Sequence, residues 1–188
     1  MGAAMRLVIG ISGASGSIYG IRLLEVLKKR NIETHLIISS AAKLVIPEET
    51  AYSVEQVEAL ASFVHDSRNL GAPLSSGSFK SDGMIVAPCS IKTLSGIANS
   101  YNDNLLTRAA DVMLKERKRL VLAVRETPLH QGHLELMARA GSAGAVIFPP
   151  VPAFYCKPET VDDLVNQTVG KILDLYSIDG KLFKRWGT

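Results

Sequence analysis

The stretch Gly10-Ile11-Ser12-Gly13-Ala14-Ser15-Gly16-Ser17-Ile18-Tyr19-Gly20 decides how the rest of the chain is read. It follows the apolar run Leu7-Val8-Ile9 and precedes Ile21-Arg22-Leu23-Leu24-Glu25-Val26-Leu27. The first reads as a buried parallel strand and the second as a helix. A strand, a glycine-rich turn and a helix in that order turn backbone N–H groups and a helix N terminus toward an anion, commonly a phosphate. Gly13 and Gly16 permit tight or left-handed backbone, and Ser12, Ser15 and Ser17 add hydroxyl groups. Counted from Gly10 the spacing is G-x-x-G-x-x-G, which is neither the dinucleotide fingerprint nor a P-loop with its Gly-Lys-Ser/Thr. Taken alone, such a turn is equally compatible with a connection that binds nothing.

Working outward, the pattern of strand, turn and helix repeats. The first strand covers about Leu7 to Ile11 and its helix about Ser17 to Lys29. Thr34 to Ile38 reads as a second strand ending at Ser39-Ser40, where a helix begins; Pro47 is expected to interrupt it. Ser53-Val54-Glu55-Gln56 has the spacing of a capping box opening a short helix. Asp66 to Asp82 reads as loop, with Gly71, Pro73 and Gly77. Met84 to Ala87 is a third strand, stopped by Pro88 and followed by the hydroxyl-bearing turn Cys89-Ser90-Ile91-Lys92-Thr93. Leu105 to Arg119 is an amphipathic helix, Leu120 to Val124 a fourth strand with Arg125-Glu126 at its end, and His130 to Ala140 a helix. Ala145 to Phe148 is a fifth strand, and Thr160 opens a last helix reaching about Tyr176. The expectation is an α/β, three-layer Rossmann-like fold with a mostly parallel sheet, in one domain over 1–188. The helix and tail from about 160 are expected to complete the site. Ser12, Ser15, Ser39, Cys89, Ser90, Arg125 and Glu126 should then meet at the carboxyl edge, where such sheets bind ligands.

Composition narrows the function. The 188 residues are 47% hydrophobic and 21% charged, ordinary for a globular chain able to bury a substantial core. A net charge of +3 and 6% aromatic residues argue against nucleic-acid binding. No apolar run is long enough for a membrane span and no secretory pattern opens the chain, so a cytoplasmic protein without membrane contact is expected. Two distant cysteines, Cys89 and Cys156, suit free thiols in a reducing compartment. His130 and His133 lack a third ligand nearby, so no metal site is expected. No Ser-His-Asp or Cys-His arrangement is legible around Cys89 and Ser90. The segment Arg108 to Arg125 carries six basic residues against two acids. Arg108 and Lys115 stand seven apart, on one helix face, where they could serve one anion. Lys171 and Tyr155 could add a cation and a hydroxyl.

Taken together, several separated blocks resemble the UbiX-type flavin prenyltransferases, within the Rossmann-like flavoproteins that include cysteine decarboxylases. The blocks are Gly10 to Gly16 with Tyr19-Gly20, Glu49-Thr50, Ser75 to Phe79, Pro88 to Gly96, Arg108 to Val112, Leu114 to Arg117, Val124 to Leu129, Pro149 to Tyr155, and Arg185-Trp186. The resemblance implies transfer of a dimethylallyl group from dimethylallyl phosphate to reduced FMN, giving the prenylated FMN used by UbiD-type decarboxylases. It implies FMN binding by Gly13, Ala14, Ser15, Ser39, the turn Ser90, Ile91, Lys92 and Thr93, and Arg125. It implies binding of dimethylallyl phosphate by Tyr155 and Lys171, with Arg108, Lys115 and Glu126 nearby. Glu49 and Ser15 would manage protons, and Trp186 would flank the isoprenoid. Lys171 stands where some members carry arginine, which keeps the charge but loses the bidentate fork. Members assemble as homododecamers whose sites combine neighbouring subunits.

Other readings compete. A cysteine decarboxylase of this fold would show Pro-Ala-Ser-Ala-Asn-Thr where this chain has Pro88-Cys89-Ser90-Ile91-Lys92-Thr93. A direct aromatic-acid decarboxylase would need groups that stabilise a carbanion without a modified flavin. A non-catalytic FMN carrier explains the flavin-side residues but gives Glu49, Tyr155, Lys171 and Lys115 no role.

Overall fold

The computed structural model describes residues 5–185 and 187. In chain order the elements are β1 (Arg6–Ile11), α1 (Ser17–Lys29), β2 (Glu33–Ile38), α2 (Ser40–Glu49), α3 (Val54–Glu58) and β3 (Phe63–Asp66). Then follow β4 (Gly83–Cys89), α4 (Ile91–Ala98), α5 (Leu105–Lys115), β5 (Arg119–Val124), α6 (Gln131–Ser142), β6 (Ala145–Ile147) and α7 (Val161–Asp174). The strands form one sheet in the order β3-β2-β1-β4-β5-β6, and every pairing is parallel. The order reverses between β1 and β4, which is where open α/β sheets leave a crevice for ligands.

Both faces of the central strands are covered, which explains their unbroken apolar runs. Leu7, Ile9 and Ile11 of β1 join a core with α1, α2, α3 and α7, while Val8 points to the core built from α4, α5 and α6. β4 divides the same way, with Ile85 and Ala87 on one side and Met84 and Val86 on the other. Each such fully buried aliphatic side chain contributes about 1.5–3 kcal/mol. Tyr176, just past α7, donates its hydroxyl to the Met84 carbonyl at 2.7 Å and so fastens the last helix to the amino edge of β4.

The structure departs from the sequence reading in four places, the first being that the helix read to Arg119 ends at Lys115, with Arg117 at φ of 55° before Arg119 opens β5. A sixth strand, β3, lies at one sheet edge directly before the stretch read as loop; its Phe63 and Val64 are exposed, so it shows no buried run. Phe63 stacks on His35 of β2 at 4.7 Å, and His65 shares a 2.9 Å hydrogen bond with His35. Pro47 does not interrupt α2, which runs through it to Glu49. Burial of Ala42 and Ile46 and the Ser39 cap hold the helix despite the missing N–H. His130 is not the first helical residue but the cap of α6, its Nδ1 accepting from the Gly132 amide at 3.1 Å.

Candidate functional site

The carboxyl ends of β1 and β4 are locked together by Ser12. Its hydroxyl donates to the Pro88 carbonyl at 2.9 Å and accepts from the Ser90 amide at 2.7 Å. Ser12 is fully buried, so it shapes the floor of the crevice and offers no hydroxyl to a ligand. Ser17 is buried as well. Gly13 follows with α2 pressed against it: a Cβ there would lie 2.3 Å from that of Ala41. Only a residue without a side chain lets the α2 N terminus come this close.

Two helices start at this edge with the same cap. Ser39 Oγ accepts from the Ala42 amide at 3.1 Å, and Ser90 Oγ accepts from the Thr93 amide at 3.3 Å. Serine capping takes up the third amide of each helix. The first two, of Ser40 and Ala41 in α2 and of Ile91 and Lys92 in α4, are left toward a cavity of about 380 Å³. Gly13, Ser39, Ser90, Ile91, Lys92, Thr93 and Glu126 line it, as the sequence led one to expect of strand-end residues. Ser67, Arg68, Asp103, Asn104 and Thr107 line it too and were not anticipated. Ser67 and Arg68 directly follow the strand that the sequence hid. Asn104 caps α5 through the Thr107 amide at 3.1 Å, an asparagine-before-helix signal that a stricter search for caps finds.

At the start of α1 the arrangement differs. Gly16 is the cap residue, with φ of 100° in the left-handed region that favours glycine, and it brings no side chain to the helix end. The carboxylate of Glu49, at the far end of α2, takes that place and accepts from the Gly16 amide at 2.8 Å and the Ser17 amide at 3.3 Å. Burial pushes the Glu49 carboxyl up, but the Ser15 side chain, these two amides and the Arg125 charge outweigh it and hold it below the ordinary carboxylate value. Arg125, at the end of β5, also acts on Tyr19, whose phenol burial raises and a Thr168 side chain and Arg125 pull down. Ser15, Glu49, Tyr19 and Arg125 thus gather around the α1 start, three residues on from Gly13 of the cavity lining, and do not themselves line the cavity. The Cys89 thiol is fully buried and pushed well up by that burial, which removes it as a nucleophile.

The expected substrate cations are not brought here by the chain itself. Arg108 donates to the Ser75 carbonyl at 3.1 Å and pairs with Asp111 at 3.1 Å. Lys115 pairs with Glu116 at the other end of α5 and lines an open basic basin of about 1010 Å³ at the amino edge, with Asp82, Lys118 and Arg119. Seven helical residues are about 10 Å of rise, so a shared face does not put the two cations on one anion. Lys171 pairs with Asp174 at 3.7 Å, and Tyr155 meets Gln167 at 3.5 Å, both outside the cavity lining. Ala14 follows Gly13 in the turn without lining the cavity. Trp186 lies outside the described residues. No helix among the described residues is long and apolar enough to cross a membrane.

Residues 2–173 match the family described as Flavoprotein. A flavin prenyltransferase UbiX of Escherichia coli is 59% identical over 184 residues, covering 96% of this chain and 97% of that protein. The crystal structure of AnUbiX in complex with FMN and dimethylallyl pyrophosphate superposes with a TM-score of 0.97 at 51% identity, covering 98% of each chain. A dodecameric FMN-dependent UbiX-like decarboxylase from Escherichia coli superposes at 0.96 and 48% identity, over 98% of this chain and all of that one, 100%. A carboxylate-capped helix start beside an anion-ready crevice thus stands in a chain that belongs to the flavoprotein family, among its UbiX-type flavin prenyltransferases.

Proposed function

We propose that the chain transfers a dimethylallyl group from dimethylallyl phosphate to reduced FMN. The observation that carries this reading is the ionised Glu49 carboxylate, held at the α1 N terminus beside a cavity whose free amides suit a phosphomonoester. Volume, free helix N–H groups and strand-end hydroxyls all fit a flavin mononucleotide there. When bound, reduced FMN supplies two nucleophilic ring positions, N5 and C6.

The residues divide the work. Gly13, Ala14, Ser39 and the turn Ser90 to Thr93 hold the flavin, with Arg125 at its rim. As the allylic C–O bond breaks, the phosphate departs with the electron pair, and fixed cations stabilise the charge where it grows. Lys171, Arg108 and Lys115 serve that role, the Tyr155 hydroxyl adds a hydrogen bond to the phosphate, and Glu126 stands nearby. Because Arg108 and Lys115 sit away from this chain's own cavity, a neighbouring subunit of a homododecamer supplies them. Ser15 and Glu49 take up the proton released when the second bond closes the new ring, and Trp186 screens the allylic fragment. The helix and tail from about 160 complete the site of this single domain. The product goes to a UbiD-type decarboxylase, in the cytoplasm.

The test is anaerobic incubation of the protein with reduced FMN and dimethylallyl phosphate, followed by mass spectrometry of the extracted flavin. FMN enlarged by one dimethylallyl unit, with release of inorganic phosphate, is expected. Recovery of unmodified FMN alone overturns the transferase reading and leaves a flavin carrier.

A further inference from the structure

We infer that Ser67 and Arg68, at the carboxyl end of β3, grip the terminal phosphate of the flavin and make the site select FMN over riboflavin. This rests on FMN being the flavin bound, as proposed above. The start of α1 cannot be the phosphate cradle, since the Glu49 carboxylate already accepts from its Gly16 and Ser17 amides. A phosphate dianion next to that carboxylate would meet like charge. The free amides of α2 and α4 open instead into the cavity, and that is where a phosphate is welcome.

A dianion also needs cations, and only two among the described residues line this cavity: Lys92 and Arg68. Lys92 is turned to Asp103 at 3.6 Å. Arg68 is held differently. Asp66 takes its Nε at 3.3 Å and one Nη2 hydrogen at 3.0 Å, and also the Arg68 amide at 3.0 Å. A guanidinium has five N–H donors, so three remain once Asp66 has fixed the plane. An arginine oriented in advance loses less freedom on gripping phosphate, and it does so through paired, charge-assisted hydrogen bonds.

Ser67 supplies the second, independent observation. It is 8% exposed and lines the cavity, and no side-chain hydrogen bond to another described residue occupies its hydroxyl, which is not one of the fully enclosed polar atoms. Its backbone is pinned, because the Ser67 carbonyl accepts from the Leu105 amide at 2.7 Å at the start of α5. A hydroxyl reached only from the cavity, on a residue otherwise buried, is placed to donate to a phosphate oxygen entering there.

Calorimetric titration of FMN and of riboflavin into the wild-type protein and into Arg68→Ala, Arg68→Lys and Ser67→Ala tests the assignment, with thermal melts as folding controls. Arg68→Ala is expected to weaken FMN about 10- to 100-fold, and Ser67→Ala about two- to tenfold. Riboflavin affinity should stay within about twofold in both, since the lost contacts are to the phosphate. Arg68→Lys keeps the charge without the fork, so its FMN affinity should fall between wild type and Arg68→Ala; it carries the test if the alanine variant does not fold. Unchanged FMN affinity, or equal losses for both flavins, overturns the assignment while leaving the flavin site in place. A wild-type protein that does not bind FMN at all overturns the function proposed above as well.

Discussion

Two helix starts at the same sheet edge, that of α1 and that of α4, follow strands β1 and β4 that are neighbours in the sheet, and they have opposite relations to anions. At α4, Ser90 caps from within and leaves the first amides facing the cavity. At α1, Gly16 has no side chain to offer, and Glu49 arrives from the end of α2 to fill the gap. Both ends have the same partial positive charge. In one it is spent on keeping a carboxylate of the protein ionised, and in the other it is left for a ligand. One rim therefore holds a proton acceptor and an anion seat side by side, at no risk of the acceptor being displaced by the phosphate.

The sharpest way to break this division is Glu49→Gln. Glutamine can still accept from the Gly16 and Ser17 amides, so the α1 start survives, but the basic carboxylate is gone. Complete product formation should fall about 10²- to 10⁴-fold, the usual worth of a general base, while FMN affinity changes little. Stopped-flow kinetics alongside titration separates the two quantities. Loss of FMN binding in step with turnover would mean that Glu49 holds the flavin in place rather than acting on its protons.

The α4 side should respond in the other sense. Ser90→Ala removes the cap on the Thr93 amide and the 3.1 Å hydrogen bond to the Thr93 hydroxyl. It should cost about 1 kcal/mol of stability in chemical denaturation, and it should weaken FMN by disordering the amides of Ile91 and Lys92. Unaltered FMN affinity in a variant destabilised by that amount would show that the α4 amides do not hold the phosphate.

Much of this was legible before any coordinates. The glycine turn after Leu7-Val8-Ile9 marks β1 and α1, and serines at strand ends mark the caps of α2 and α4, because strand, turn and cap are all local signals. What stayed hidden is non-local. That Glu49 caps α1, 33 positions earlier, is a matter of how α2 packs and not of any spacing. The helix face shared by Arg108 and Lys115 is real, yet α5 carries the second to the far edge of the sheet. The strand β3 escaped because its four residues are an exposed edge, Phe63 and Val64 outward and His65 only half covered. Its stabilising contacts, His35 with Phe63 and with His65, span about thirty positions and leave no periodic trace. With the strand went its two cavity residues, Ser67 and Arg68.

The same strand sets the smallest expected difference between the two ends of the rim. The Glu49 end hangs on β1, in the middle of the sheet, whereas Ser67 and Arg68 hang on β3 at its edge. The hydrogen bond between His35 Nδ1 and His65 Nε2 needs one ring to accept, so both cannot be protonated with it intact. Burial first, and then the charge of His35, hold the His65 pKa below the ordinary histidine value. The folded state therefore favours the neutral ring. Its contribution to stability is complete above the ordinary value of about 6.5 and is lost progressively as pH falls through it toward the lowered one. Glu33 cannot compensate, for it already pairs with Arg6 and with His35 Nε2. Hydrogen exchange compared at pH 7.5 and about pH 5.5, corrected for the intrinsic rate, should show lost protection at Phe63–Asp66 and none at Arg6–Ile11. His65→Gln, which does not titrate, should remove the difference. Equal loss of protection in both strands would mean that the edge is no softer than the centre, and that both ends of the rim rest on equally firm ground.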